Sequence, residues 1–282
     1  MATYEGFTGL RVEVEKQVVW VTIAHPPINL FDQPLFFDLA RLVSLLESDD
    51  AVGVVVFRSA DPDFFIAHAD VNWILTLPAE RPPKLTEIGP FVALLERLRT
   101  MAKVSIGMID GIARGGGSEL LLSLDMRFAG PKARLAQPEV ALGIIPGGSG
   151  TQRLARLVGR ARALEIILGC ADVTAHEAAA IGYVNRVVEG GLLDTFVRAL
   201  AERIAAMPRE AVRLAKLAVD AAIGPVEPGL LFEGDAFNES VATADAQALM
   251  RRFLEGGGQT REVERDLAPL VAQLGRRGGT AS

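Results

Sequence analysis

The sequence predicts an α/β fold, and three observations carry the prediction. Val12 to Ile23 is valine-rich and loosely alternating, as a strand or hairpin is, with Lys16-Gln17 placed for a turn. Val52 to Phe57 is a continuous β-branched run suited to a strand covered on both faces, and between the two Leu35, Leu39, Leu42, Val43 and Leu46 recur at helical spacing. A βαβ-like unit is therefore complete by Arg58. Third, a strand at Val104 to Ile109 leads into Gly115-Gly116-Gly117, and an apolar helical segment follows through Leu124.

The remaining elements follow in order. His25-Pro26-Pro27 ends the first strand pair, Asn29 to Asp32 form a loop, and Asp49-Asp50 stop the first helix. Ser59 to Asp70 reads as a loop, Val71 to Leu77 as a helix, the proline-rich 78–83 as a surface loop, and Ile88 to Met101 as a helix. Beyond Gly150 the chain is mostly helical, with short helices at 152–157, 161–168 and 175–180 and a last strand at Tyr183 to Val188. Two amphipathic helices, 192–207 and 209–223, are divided by Pro208, and Gly256 to Gly258 break the final helical region. The expected organisation is an α/β core over 1–185, a helical part over 186–270, and a disordered tail over 271–282 that is Gly-rich from Arg276.

Composition narrows the class. With 282 residues, half of them hydrophobic and 23% charged, the chain can bury a substantial core. A formal charge of −6 argues against a dedicated nucleic-acid binder. The single cysteine, Cys170, excludes an internal disulfide and any multi-cysteine metal site, and reads as a small buried apolar residue. No apolar run approaches the roughly 20 residues of a membrane span. The segment before Arg11 has neither a signal-peptide nor a transit-peptide pattern, so a cytoplasmic, membrane-free protein is expected.

The chemistry is concentrated in Gly111 to Gly150. A glycine turn opening a helix leaves N–H groups pointing outward at the positive end of the helix dipole. Glu119 sits in the first turn of that helix and Glu139 follows in Gln137-Pro138-Glu139, so two carboxylates lie beside free donors, an arrangement suited to acid–base chemistry on a carbonyl compound. Either glutamate alone would read as a helix-end or surface residue. Gly147 to Gly150 lacks the Lys-Ser/Thr of a phosphate loop and reads as a tight structural turn. Asp125 reads as a structural hydrogen-bonding residue, and Asp70 as the cap of the helix it opens.

Four segments together carry a family resemblance: Phe65-Ile66-Ala67-His68-Ala69-Asp70, then Gly111 with Gly115-Gly116-Gly117-Ser118-Glu119, then Gln137-Pro138-Glu139 with Gly143, then Pro146-Gly147-Gly148-Ser149-Gly150. In this order they resemble the crotonase, or enoyl-CoA hydratase/isomerase, superfamily, from about Val12 to Ala222. The resemblance implies a crotonase-like fold of repeated ββα units with a helical C-terminal trimerisation region that packs on the core and a neighbouring subunit. It implies an acyl-CoA thioester as substrate, no metal or redox cofactor, and a homo-trimer or dimer of trimers. It places an oxyanion hole at the N–H groups of Ala69 and Gly116, with Ala67, His68, Asp70, Gly115 and Ile28 around the substrate. Both glutamates stand where the true hydratases carry theirs. Glu119 would then orient and deprotonate a water, and Glu139 would supply the proton to Cα.

The chain departs from the pattern at three places. His68 stands where the family has glycine, and is read as a solvent-facing structural residue or as one that narrows the pocket or meets the pantetheine arm. The stretch His25-Pro26-Pro27-Ile28 lacks a fixed positive charge for the CoA phosphates, and Gly256 to Gly258 replace a commonly basic region. The alternatives to hydration are Δ3-Δ2 enoyl-CoA isomerisation, CoA-ester hydrolysis, or acyl-CoA binding without catalysis.

Overall fold

The computed structural model describes residues 3–78 and 80–275. Strand β1 (Leu10–Glu15) turns back through Lys16 and Gln17, at φ 48° and 65°, into β2 (Val18–Ile23). Two successive positive φ values are what a tight antiparallel turn needs to match strand twist. Helix α1 (Gln33–Ser48) starts at Asp32, whose carboxylate accepts the Leu35 N–H, and β3 (Val54–Ser59) returns parallel to β2.

The valine-rich strands divide by parity, as side chains on a strand must. Val19, Val21, Val55 and Phe57 share a core with Leu35, Leu39 and Leu42 of α1. Val18, Trp20, Val54 and Val56 face the other way, onto Leu193, Val197 and Ala201 of α8 (Leu193–Ala205). Both faces of these strands are covered, which explains the unbroken apolar run.

The chain then repeats one device. Strand β3 is followed by β4 (Phe64–Ile66), β5 (Val104–Ile109) by β6 (Ile112–Arg114), and β7 (Met126–Ala129) by β8 (Arg134–Ala136). With β9 (Val173–Thr174) and β10 (Arg186–Val187), the first of each pair joins a six-stranded sheet ordered β1-β2-β3-β5-β7-β10, and the second joins a four-stranded sheet ordered β4-β6-β8-β9. Helices α2 (Val71–Ile74) and α3 (Pro90–Thr100) follow the first pair, α4 (Gly116–Leu122) the second, and a 3-10 turn (Glu139–Leu142), α5 (Gly150–Val158) and α6 (Arg160–Gly169) the third. These are the ββα units that the resemblance implies.

Two expectations are corrected here. The strand at Val104 to Ile109 does not enter the glycine turn directly, because β6 intervenes and the turn caps the smaller sheet. Three residues are too few for periodicity to reveal. The strand expected at Tyr183 to Val188 contracts to Arg186–Val187, and Tyr183 and Val184 are buried in the main core instead.

After α7 (Ala175–Ile181) and α8 come α9 (Arg209–Ile223), α10 (Glu227–Val241), α11 (Ala244–Glu255), α12 (Arg261–Arg265) and α13 (Ala268–Leu274). The last three fold back over the core, with Phe253, Leu267, Leu270 and Leu274 packed against Val71, Leu142 and Ile144. That packing overturns the start of the expected tail: residues 271–274 are helical because Leu270 and Leu274 bury one face of α13. The rest of the tail, 276–282, lies outside the described residues. Helix α9 buries no residue and leaves Leu214, Leu217, Val219 and Ile223 exposed.

Asp125 is structural as expected, accepting from the Ser105 N–H and pairing with Lys216 at 3.0 Å. Cys170 is only half-buried, and caps α6 at φ 54° with its thiol donating to the Ile167 carbonyl. Among the described residues no helix is long and apolar enough to cross a membrane.

Candidate active site

Three parts of the chain meet at the glycine turn. The segment 67–70 runs between the Ile28–Phe31 loop and β6: the Ala67 N–H donates to Ile28, the Phe31 N–H to His68, the Asp70 N–H to Phe31, and the Arg114 N–H to Ala67. This threading holds Ala69 against Gly116, where a Cβ would lie 3.2 Å from Ala69 Cβ and 3.3 Å from Ala69 N. Among the described residues neither the Ala69 nor the Gly116 N–H has a hydrogen-bond acceptor. Gly116 opens α4, so its N–H is one that a helix leaves unpaired.

Gly115 sits at φ 45° and ψ −122°, which only glycine adopts without strain, and a Cβ there would lie 2.6 Å from Glu139 Oε1. The bare turn is therefore what lets the Glu139 carboxylate lie against it. Gly115→Ala is expected to lower kcat about 10-fold or more by displacing that carboxylate. Steady-state kinetics beside a thermal melt check it, and unchanged kcat would refute the contact's importance.

Glu119 is buried in α4 and accepts the N–H groups of Gly148 at 2.7 Å and Gly150 at 3.0 Å on Oε1. Burial and the nearby Glu233 charge push its pKa up to about 8, against the pull of those two N–H groups and Arg153. Glu139 opens the 3-10 turn, and burial followed by the charges of Glu119 and Glu233 raises it well above the usual carboxylate range. Two such acids share protons, and near neutrality the pair holds at least one. Gln137, with its amide turned to satisfy its neighbours, donates to both Glu139 oxygens at 3.2 and 3.3 Å and accepts from Ser118 Oγ, which shares a short hydrogen bond with the Tyr183 hydroxyl.

Beside the pair lies a cavity of about 30 Å³ between Glu139, His68, Ile74, Leu142, Phe253 and Leu274. Its wall corrects the solvent-facing reading of His68. That side chain is buried, with Nδ1 2.7 Å from the Ala69 carbonyl and Nε2 2.9 Å from Glu264 Oε1. Both ring nitrogens face acceptors, so the imidazolium form satisfies both. Burial alone would lower the His68 pKa, but the Glu264 charge and hydrogen bond and the Ala69 carbonyl raise it. Glu264 also meets Arg114, whose other edge pairs with Asp172 at 2.7 and 2.9 Å. Charges thus alternate from His68 through Glu264 and Arg114 to Asp172.

The candidate residues fall into two groups. Glu119, Glu139, Ala69, Gly116, Gly115 and His68 converge at the turn and cavity. Asp70 caps α2 through the Asn72 N–H, while Ala67 and Ile28 spend their side chains in a core with Phe64 and Ile112. The reading missed Glu233, Glu264, Arg114 and Phe253. A signal for Glu233 existed: it interrupts the stripe Val226, Leu230, Phe237, Val241 on α10, where a core residue belongs.

Comparison with known proteins establishes the family. The model of the enoyl-CoA hydratase/isomerase family matches residues 13–260. The chain belongs to the enoyl-CoA hydratase/isomerase family. It is 35% identical to a short-chain-enoyl-CoA hydratase of Clostridium acetobutylicum over 86% of this chain and 94% of that one. It is 33% identical to a crotonyl-CoA hydratase of Syntrophomonas wolfei over 88% and 96%. The solved structure of a candidate enoyl-CoA hydratase from Streptomyces avermitilis superposes with a TM-score of 0.87 at 36% identity, covering 96% of this chain and all (100%) of that one.

Proposed function

We propose that the protein hydrates short-chain 2-enoyl-CoA thioesters to 3-hydroxyacyl-CoA. It is an enzyme of the hydro-lyase class. The observation that carries the reading is the meeting of two acids with raised pKa values, the buried Glu119 and the half-buried Glu139, with a pair of unpaired backbone N–H groups beside an apolar cavity. The Ala69 and Gly116 N–H groups hold the thioester oxygen as negative charge moves onto it, each contributing about 3–4 kcal/mol. Glu119 as carboxylate takes a proton from water while the oxygen bonds to Cβ. Glu139 as carboxylic acid gives its proton to Cα, and the two exchange protons with solvent to reset. The proposed chemistry needs only these groups, without a metal or redox cofactor. Isomerisation and ester hydrolysis use one of the two acids, so a coupled pair favours hydration.

Arg261 donates to the Pro27 carbonyl at 2.8 Å, but its guanidinium is already paired with Asp61 and Asp63, so the stretch 25–28 gains no free cation from it. One further feature supports the reading. The exposed Leu214, Leu217, Val219 and Ile223 of helix α9 suit packing against further copies, as a trimer or dimer of trimers would supply.

A cavity of about 30 Å³ takes little more than a methyl group. Crotonyl-CoA is therefore expected to be hydrated at least about 10-fold more efficiently, by kcat/KM, than 2-decenoyl-CoA. Loss of the conjugated thioester absorbance follows the reaction, and a product heavier by one water separates hydration from isomerisation. Tight acyl-CoA binding with no turnover of any enoyl-CoA would overturn the proposal.

A further inference from the structure

The segment from Gly148 to Gln152, which enters α5 at Gly150, is held from two sides by two carboxylates. The N–H groups of Gly148 and Gly150 point to Glu119 Oε1. Those of Ser149, Thr151 and Gln152 point the opposite way, to Glu233, at 2.6, 2.8 and 3.3 Å. The Thr151 hydroxyl adds a short hydrogen bond to the same carboxylate. Successive amides can alternate because Ser149 is at φ 83°, a positive value that reverses the chain's facing within one residue. Arg153 fixes Ser149 in turn, donating from Nε to its hydroxyl at 2.7 Å and from Nη2 to Glu96 at 2.8 Å. Glu233 is 1% exposed, on α10, and nothing in the hydration chemistry uses it.

We propose that Glu233 is a positioning residue: by anchoring the amides of Ser149, Thr151 and Gln152 it aims those of Gly148 and Gly150 at Glu119, and so sets where that carboxylate sits. The inference rests on the hydratase reading for its kinetic consequences, but its geometry does not. A buried carboxylate that accepts three amides and a hydroxyl is strongly oriented. Both Glu233 and Glu119 are buried, so the two acids are poorly screened from one another. The charged groups facing Glu119 are Glu139 from the 3-10 turn, Glu233 from α10 and Arg153 from α5. Of the two negative ones, Glu233 is the one outside the proposed chemistry.

The test uses the full chain with crotonyl-CoA and two variants. In Glu233→Gln the like charge is gone, so Glu119 should release its proton more readily. The acidic limb of the kcat/KM profile is expected to move about one unit toward lower pH. Because the loop also loosens, kcat should fall about 10-fold while KM stays within about 3-fold. Glu233→Asp keeps the charge but withdraws it by one methylene, and should lower kcat without moving the limb. In the double variant with Glu119→Gln, Glu233→Gln should add no further loss, because it acts through Glu119. Carbon-13 NMR titration of the Glu119 carboxyl gives the same shift without any turnover. Absence of turnover in the unaltered protein would sink the hydratase reading and leave the NMR arm in force. An unmoved titration in Glu233→Gln, or losses that multiply in the double variant, would overturn the positioning role. If Glu233→Gln does not fold, Glu233→Asp with unchanged kcat overturns it.

Discussion

Glu119→Gln is expected to lower kcat for crotonyl-CoA hydration by about 10³-fold, and Glu139→Gln by a similar factor, within the roughly 10²–10⁴-fold range of a positioned acid or base. Glutamine is nearly isosteric with glutamate, and its oxygen can still accept from Gly148 and Gly150, so the fold and KM should change little. What it cannot do is take or give a proton at the required strength. The unaltered enzyme should show a bell-shaped profile of kcat/KM against pH, rising as the pair loses its first proton and falling as it loses the second, with both steps above the usual carboxylate range. Each single variant should lose one limb together with most of its rate. Near-full turnover in either would show that only one acid is needed, and isomerisation or ester hydrolysis would then be the better account.

The second large effect concerns stability. Glu264→Ala is expected to destabilise the protein by about 3–5 kcal/mol, because it leaves the buried His68 and Arg114 cations without their shared counter-charge. The sign of the pH dependence follows from the directions of the shifts. Burial favours protonating Glu264, but His68, the Gln259 N–H and Arg114 overcome it and lower its pKa below the ordinary 4.5, so its contribution is present above that value and is lost as pH falls through the lower folded one. His68 is raised above its ordinary 6.5, so its contribution is complete below that pH and is lost as pH rises through the raised value. The tie is therefore strongest in the mildly acidic window between. Urea denaturation at a series of pH values reads both effects, and a loss under about 1 kcal/mol with a flat profile would show the tie to be dispensable.

Much of this architecture was legible in the sequence because its signals are long or chemically singular. The valine runs of β2 and β3 and the leucine spacing of α1 are dictated by two covered sheet faces and one helix face. The glycine turn with Glu119 and the Gln-Pro-Glu turn with Glu139 stand out because a bare backbone beside an acid has few other uses. Strands of three residues such as β6 and β8 were not legible, because they are held by neighbours on both sides and not by their own pattern. His68 was misread for a related reason. Its partner, Glu264, lies 196 residues away, and no local pattern records that an imidazole and a carboxylate will be buried together.

The order of the chain gives this last pairing a consequence for synthesis. Both sheets, both glutamates of the candidate site and the glycine turn are complete once α6 and β10 have been made. The cavity wall formed by Leu267 and Leu274, and the carboxylate that neutralises His68 and Arg114, arrive only with α12 and α13. A chain that has reached Glu255 therefore carries the acid pair while His68 lacks its carboxylate and Arg114 has Asp172 alone. The wall and the shared counter-charge are complete only with the last helices in place.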